Sequence, residues 1–203
     1  GITPLPTLKE GVLDKALAEG RRPVAADRDR IRRLHPWFRE LVNLEKPVVA
    51  AVTGAAVGIG TTMLLHCDLA YAGQGAKFQL PFASLGLCPE GSSSYALARM
   101  AGHVQAAELL MLGERFSAER ALAIGLVNAV LPDAELMAHA EGRVAQLATQ
   151  PAGAIRATKA LMRKWTAARV ADGPAGRGGS ASAHVDIADV PRVRIVRLCV
   201  VGW

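Results

Sequence analysis

Between Pro36 and about Ala168 the apolar residues follow two alternating rhythms, and the switches between them mark out strands and helices. Phe38, Leu41, Val42 and Leu44 recur at helical spacing and lead into Lys46-Pro47. Residues 48–52 form a short, all-apolar, valine-rich run, the pattern of a strand buried on both faces, and Thr53-Gly54 is expected to end it. Gly58-Ile59-Gly60 opens a helix through Met63, Leu64 and Leu65 to Cys67. Asp68 leads a second strand over 69–72, and 77–80 reads as a third extended piece. Helices are then expected over 92–100 and 103–112, and a third, capped by Ser117, ends at Gly125. Residues 126–131 return to a strand before Pro132. Asp133 is placed to cap a helix reaching about residue 149, and Pro151 sits in the first turn of a last one, to about residue 168. Strands alternating with helices imply an α/β fold with a largely parallel sheet.

The flanks differ from this middle. Residues 1–35 are rich in proline and charge, with a dense Arg/Asp run over 28–33, and their apolar pattern supports one short helix at most. Residues 169–203 contain a glycine-rich stretch from Gly173 to Gly179, and the apolar positions after it fit neither period, so this tail is expected to be irregular. The reading is therefore a core over 36–168 between an atypical N-terminal segment and a basic tail, with no internal repeat.

Composition narrows the class. The 203 residues are 51% hydrophobic, enough for a substantial core. The longest apolar stretch, 121–131, is interrupted by Gly125 and Asn128 and falls short of the roughly 18 residues that cross a bilayer. The first twenty residues mix acids and lysines with apolar positions and do not read as a secretory signal. A soluble, cytoplasmic protein is expected. Net charge is +2, −2 and +6 over residues 1–45, 46–150 and 151–203, so the basic excess lies in the tail. That tail lacks the interleaved aromatics of a single-strand binder, and no nucleic-acid partner is expected. Cys67, Cys88 and Cys199 have neither metal-ligand spacing nor an even count, which argues against a zinc site or a disulfide framework. Cys88 has no histidine near it in sequence to activate a thiolate.

Two segments carry candidate chemistry. In Gly54-Ala-Ala-Val-Gly58-Ile-Gly60, small residues between a strand and a helix let backbone N–H groups face a ligand. Phosphate cradling would want a lysine after the last glycine, and Thr61-Thr62 stands there instead. Dinucleotide binding would want Gly-x-Gly-x-x-Gly and an acid closing the next strand, whereas Asp68 begins one. An oxyanion hole remains open, and so does plain tight strand–helix packing. The second segment sets Glu90 between Pro89 and Gly91, ahead of a serine-rich helix start. A carboxylate favoured by a helix N-terminus is the plainer interpretation. The apolar company of Phe82, Leu85, Leu87 and Cys88 adds another, because burial raises a carboxyl pKa towards the range useful for proton transfer.

Taken together, Lys46-Pro-Val-Val-Ala-Ala-Val-Thr-Gly54, Gly58-Ile-Gly60 and Cys67-Asp68-Leu-Ala-Tyr-Ala resemble the core of the crotonase (enoyl-CoA hydratase/isomerase) superfamily. Pro81-Phe-Ala-Ser-Leu-Gly and Pro89-Glu-Gly-Ser-Ser-Ser-Tyr resemble its Δ3,Δ2-enoyl-CoA isomerase branch, and the segment from Ser117 to Asn128 is similar to the helix–strand element that follows. The likeness covers about residues 36–168.

The resemblance implies a crotonase-like spiral of ββα units, truncated at its N-terminal side, assembling as a homotrimer or dimer of trimers. It implies fatty acyl-CoA metabolism, with no cofactor beyond the coenzyme A of the thioester substrate and no metal. Glu90 matches the single proton-shuttling glutamate of the isomerases, and the Ile59 N–H matches one of two oxyanion donors. Ala56, Val57, Gly58, Gly60, Phe82, Leu85, Gly86 and Leu87 correspond to substrate-lining positions. Thr62 and Phe82 stand where hydratases of the family carry their two glutamates, so hydration is disfavoured. The family's other oxyanion donor comes from an N-terminal portion with no counterpart recognisable in residues 1–35. A hydratase-like or non-catalytic acyl-CoA-binding relative is the alternative.

Among the remaining polar residues, His66 reads as a core or interface histidine, and His35, His103, His139 and His184 form no ligand pattern. Arg156, Lys159, Arg163 and Lys164 recur on one face of the last helix, by default a solvated face, with CoA phosphates or a neighbouring subunit as further partners.

Overall fold

The computed structural model describes residues 40–172, 184–190 and 193–200. The expectations for residues 1–39 and for the glycine-rich stretch 173–179 lie outside them. Strand β1 spans Val48–Val57 and is the spine of the sheet. It pairs in parallel with β2 (Leu69–Gly73), placing Val49 opposite Leu69 and Val52 opposite Ala72. Beyond β2 lies β5 (Ala129–Leu131), also parallel. On the other edge β3 (Lys77–Gln79) pairs in parallel with β1 from Ala55 to Val57, and β4 (Phe116–Ser117) closes that side antiparallel to β3. Along these strands the order is β4-β3-β1-β2-β5.

The all-apolar run of β1 over residues 48–52 follows from burial on both faces. Val48, Ala50 and Val52 enter the larger core cluster, with Met63, Leu64, Ala72, Phe78, Leu80 and Leu97. Val49 and Ala51 point the other way, into a second cluster with Tyr71, Leu136, Ala140 and Val144. The last three belong to a helix, α5 (Leu136–Ala148), that covers this face. The other helices are a single turn α1 (Ile59–Thr62) continued by a 3-10 turn (Met63–His66), α2 (Ser93–Ala101), α3 (His103–Ala107), α4 (Ala118–Ala123) and the long α6 (Ala152–Asp172).

Thr53-Gly54 does not end the strand. Gly54 adopts φ +74° and bends β1, which then changes neighbour and runs on beside β3 to Val57. The helix expected over 103–112 ends in a π turn, Glu108–Leu112, stopped at Gly113 with φ +66°. Ser117 does cap α4, its hydroxyl accepting from the Arg120 N–H at 3.3 Å. Asp133 caps nothing: its carboxylate accepts instead from the Gly75 N–H at 3.2 Å, across a turn where Gly73 leaves room for it. Strand β5 is shorter than expected because Leu126 and Val127 turn into the core, while Asn128 exchanges two hydrogen bonds with Ala70.

The largest departure is in the tail. Residues 184–190 (β6, His184–Val190) and 193–200 (β7, Val193–Val200) form an antiparallel hairpin, not irregular chain. Strand β7 lies parallel to β1, Arg194 opposite Val48 through to Val200 opposite Gly54. A buried strand must hydrogen-bond on both edges. Strand β7 meets that demand along residues 48–54, and β3 takes over at Ala55.

Candidate active site

The end of β1 is turned into α1 at one glycine. Gly58 has φ +56° and ψ −116°, a conformation that side-chain-bearing residues rarely adopt. Its N–H donates to the Gln79 carbonyl at 2.9 Å, and its own carbonyl accepts from the Thr61 and Thr62 N–H groups at 2.9 and 3.0 Å. The Thr61 hydroxyl bonds the Ala56 carbonyl at 2.6 Å, locking the turn back onto the strand. Ile59 and Gly60 open the helix, and their N–H groups have no backbone acceptor among the described residues. They are unspent donors on a turn fixed from three sides.

Glu90 lies on the turn before α2. Its carbonyl accepts from the Ser93 N–H at 3.0 Å and from the Ser93 hydroxyl at 2.6 Å. Gly91 and Ser92 follow with φ +61° and +55°, so two successive left-handed residues aim the Glu90 side chain. The carboxylate is directed towards α1, where Oε1 accepts a short hydrogen bond from the Thr62 hydroxyl. Thr62 is fully buried and lies one turn after Ile59. Burial raises the Glu90 pKa above the ordinary carboxyl range, and the Thr62 bond, which favours the charged form, partly opposes it. The arrangement is a half-buried carboxyl group bonded to Thr62, one turn along α1 from the open main-chain donors.

Of the other expected lining residues, Val57, Gly58 and Gly60 belong to the same strand–turn as Ile59. Phe82, Leu85, Gly86 and Leu87 form a compact turn in which Leu87 N–H donates to the Phe82 carbonyl at 2.8 Å and Gly86 takes φ +65°. Leu85 and Leu87 are half-buried and Gly86 is exposed. Ala56 and Phe82 are not surface-lining side chains: both are enclosed in the core, the Phe82 ring only 4% exposed.

Polar residues elsewhere sort differently from the expectation. The basic face of α6 is solvated only in part. Lys159 is 6% exposed, and its ammonium donates to the Asp68 carboxylate at 2.7 Å and to the Lys46 carbonyl at 2.6 Å. Arg163 bonds the Val42 and His66 carbonyls, each at 2.7 Å, and stands 3.6 Å from Asp68. Arg156 is exposed, and the Lys164 side chain lies outside the described ones. His66 is buried, as a core histidine should be, with Nε2 at 2.7 Å from the Gly91 carbonyl. Burial and the Asp68 carboxylate push the Cys67 thiol up to about 12, so it stays protonated, while Cys88 is exposed and free. Sequence reasoning passed over Thr62 as a partner of Glu90, and over Ser93. The serine run signals the latter, but nothing local links positions 62 and 90. Among the described residues no three His, Cys, Asp or Glu side chains gather as a metal site, and no helix is long and apolar enough to cross a membrane.

The site is a strand–glycine turn–helix with open N–H groups, and the half-buried Glu90 on a second turn bonds that helix through Thr62. The chain belongs to the enoyl-CoA hydratase/isomerase family, which matches residues 14–184. It is 38% identical to enoyl-CoA delta isomerase 2 of Rattus norvegicus over 131 residues, 64% of this chain and 34% of that protein. It is also 38% identical to carnitinyl-CoA dehydratase of Escherichia coli K12 over 149 residues, 73% of this chain and 56% of that one. The crystal structure of an enoyl-CoA hydratase from Polaromonas sp. JS666 superposes with a TM-score of 0.67 at 35% identity, covering 77% of this chain and 61% of that one. The fold is thus crotonase-like, and the chain spans less than two-thirds of each of these three proteins.

Proposed function

We propose that the chain shifts the double bond of a 3-enoyl-CoA to the 2-trans position, with Glu90 as its single acid/base. The observation that carries this is the aim of the Glu90 carboxyl at α1, through Thr62, with its pKa raised by burial. Ionised Glu90 takes a proton from C2 of the acyl chain. The C2–H electron pair moves into a C1–C2 double bond, and charge collects on the thioester oxygen. The Ile59 N–H, open at the start of α1, donates to that oxygen. The now neutral Glu90 returns its proton to C4, where the C3=C4 pair forms the new C–H bond; the C1=C2 pair becomes C2=C3, and an oxygen lone pair re-forms the carbonyl. Coenzyme A enters only as part of the substrate.

Hydration would need a second carboxyl group to deliver water. Thr62 is a hydroxyl already committed to Glu90, and Phe82 is an aromatic ring in the core, so neither can supply it. Assembly as a trimer and action in cytoplasmic fatty acid metabolism belong to the same reading. Spectrophotometric assay of a 3-enoyl-CoA tests it. Glu90→Gln should lower turnover by about 10²–10⁴-fold, the usual contribution of a general acid–base group, while acyl-CoA still binds. Unchanged turnover in the variant would remove Glu90 from the chemistry. Acyl-CoA binding without any double-bond shift in the native chain would favour the non-catalytic alternative.

A further inference from the structure

The turn that aims Glu90 is held from below by a residue that the proton shuttle does not use. His66, at the end of the 3-10 turn after α1, places Nε2 2.7 Å from the Gly91 carbonyl. A carbonyl only accepts, so Nε2 carries the hydrogen, and the ring is fixed in that tautomer. The histidine is itself held: its main-chain carbonyl accepts from Arg163 Nη2 at 2.7 Å, while Nη1 of the same guanidinium bonds the Val42 carbonyl at 2.7 Å. One guanidinium on α6 therefore braces the imidazole that braces the Glu90 turn.

We propose that His66 is a positioning residue for Glu90, fixing the left-handed turn at Gly91-Ser92 so that the carboxyl stays over α1. This rests on the isomerase reading above for its catalytic consequence, though not for its structural one. A left-handed serine directly after a left-handed glycine is a strained turn that persists only when its surroundings over-determine it. Ser93 holds the turn at the Glu90 carbonyl, and His66 holds it at the next one. With the second tether gone, the peptide at Gly91 is free to rotate, and the carboxyl leaves Thr62. Burial, with Arg163 nearby, favours the neutral ring; the Gly91 bond, which Nε2–H donates in either protonation state, pulls the other way.

Three variants test it, with two readouts. His66→Leu keeps bulk but removes the donor; His66→Gln restores an N–H near the Nε2 position; His66→Asn, too short to reach Gly91, replaces the leucine variant if that one does not fold. In a 3-enoyl-CoA assay, the leucine or asparagine variant should lose about 10- to 100-fold in kcat, the scale of a misplaced catalytic group, with KM within about two-fold. The glutamine variant should recover most of that loss. Amide hydrogen exchange at Ser93, whose N–H closes the turn, should accelerate in the donor-less variant and stay near native in the glutamine one. If the donor-less variant keeps native kcat and native exchange, or if glutamine fails to rescue both, His66 is merely a core residue. If the native chain shows no turnover, the isomerase reading fails, and the exchange pattern alone then upholds or overturns the positioning role.

Discussion

The Thr62 hydroxyl donates its one hydrogen to Glu90 Oε1, joining two turns 28 residues apart in the chain. The Ile59 carbonyl also lies 3.4 Å from the Thr62 hydroxyl oxygen, but the single hydroxyl hydrogen favours the carboxylate. The bond opposes the upward push that burial gives the Glu90 pKa.

Thr62→Val removes this hydrogen bond with little change of shape. Glu90 must be ionised to accept a proton, so activity rises with pH through its pKa. Without the hydroxyl the pKa rises further, and the acid limb of the kcat/KM profile should move to higher pH. A limb that stays put, or moves down, would contradict the assignment.

Glu90→Gln should also alter stability in a pH-dependent way. The folded-state pKa is raised, so the neutral carboxyl is the form the fold prefers, and ionisation weakens the fold as pH rises from the ordinary carboxyl range through the raised value. Glutamine carries no such penalty. The variant should melt above the native protein at neutral pH, with the difference vanishing in acid. Thermal denaturation at several pH values measures it.

The Lys159–Asp68 pair anchors α6 to the start of β2, with the lysine side chain 7% and the carboxylate 23% exposed. Asp68 Oδ2 also accepts from the Val48 N–H at 2.7 Å. Lys159→Met would strand a largely desolvated carboxylate and the Lys46 carbonyl. Breaking one partner of a buried pair costs about 3–5 kcal/mol, and the lower end is expected since Asp68 keeps Val48 and Arg163. Urea unfolding gives the value; a loss below about 1 kcal/mol would show the pair to be unimportant.

Ser117→Ala should cost about 1 kcal/mol, the common value for a lost helix cap, because the hydroxyl holds the Arg120 N–H at the start of α4. The same urea titration checks it, with turnover unchanged.

Features written in adjacent residues were legible in the sequence. The buried strand beginning at Val48, the Gly58 turn, the Ser117 cap and the Glu90 turn each follow from residues within a few positions. What escaped depends on partners far along the chain. Lys159 and Arg163 read as a solvated stripe because Asp68 lies 91 positions before Lys159. Asp133 read as a cap, since an acid after a proline does so by default, and only the fold brings Gly75 to it. Thr53-Gly54 read as a terminator, but one positive φ can bend a strand whose next segment finds a new neighbour at β3. The tail hairpin exists as strand because β1 offers it an edge.

Because β1 is paired throughout from Val48 to Val57, on both edges as far as Val52 and by β3 at its end, the open amides at Ile59 and Gly60 sit at the tip of a held strand. Such a tip has no slack with which to chase an incoming carbonyl, so the acyl group must come to it. Ligand capture at this end of the molecule should therefore freeze the guest far more than the host.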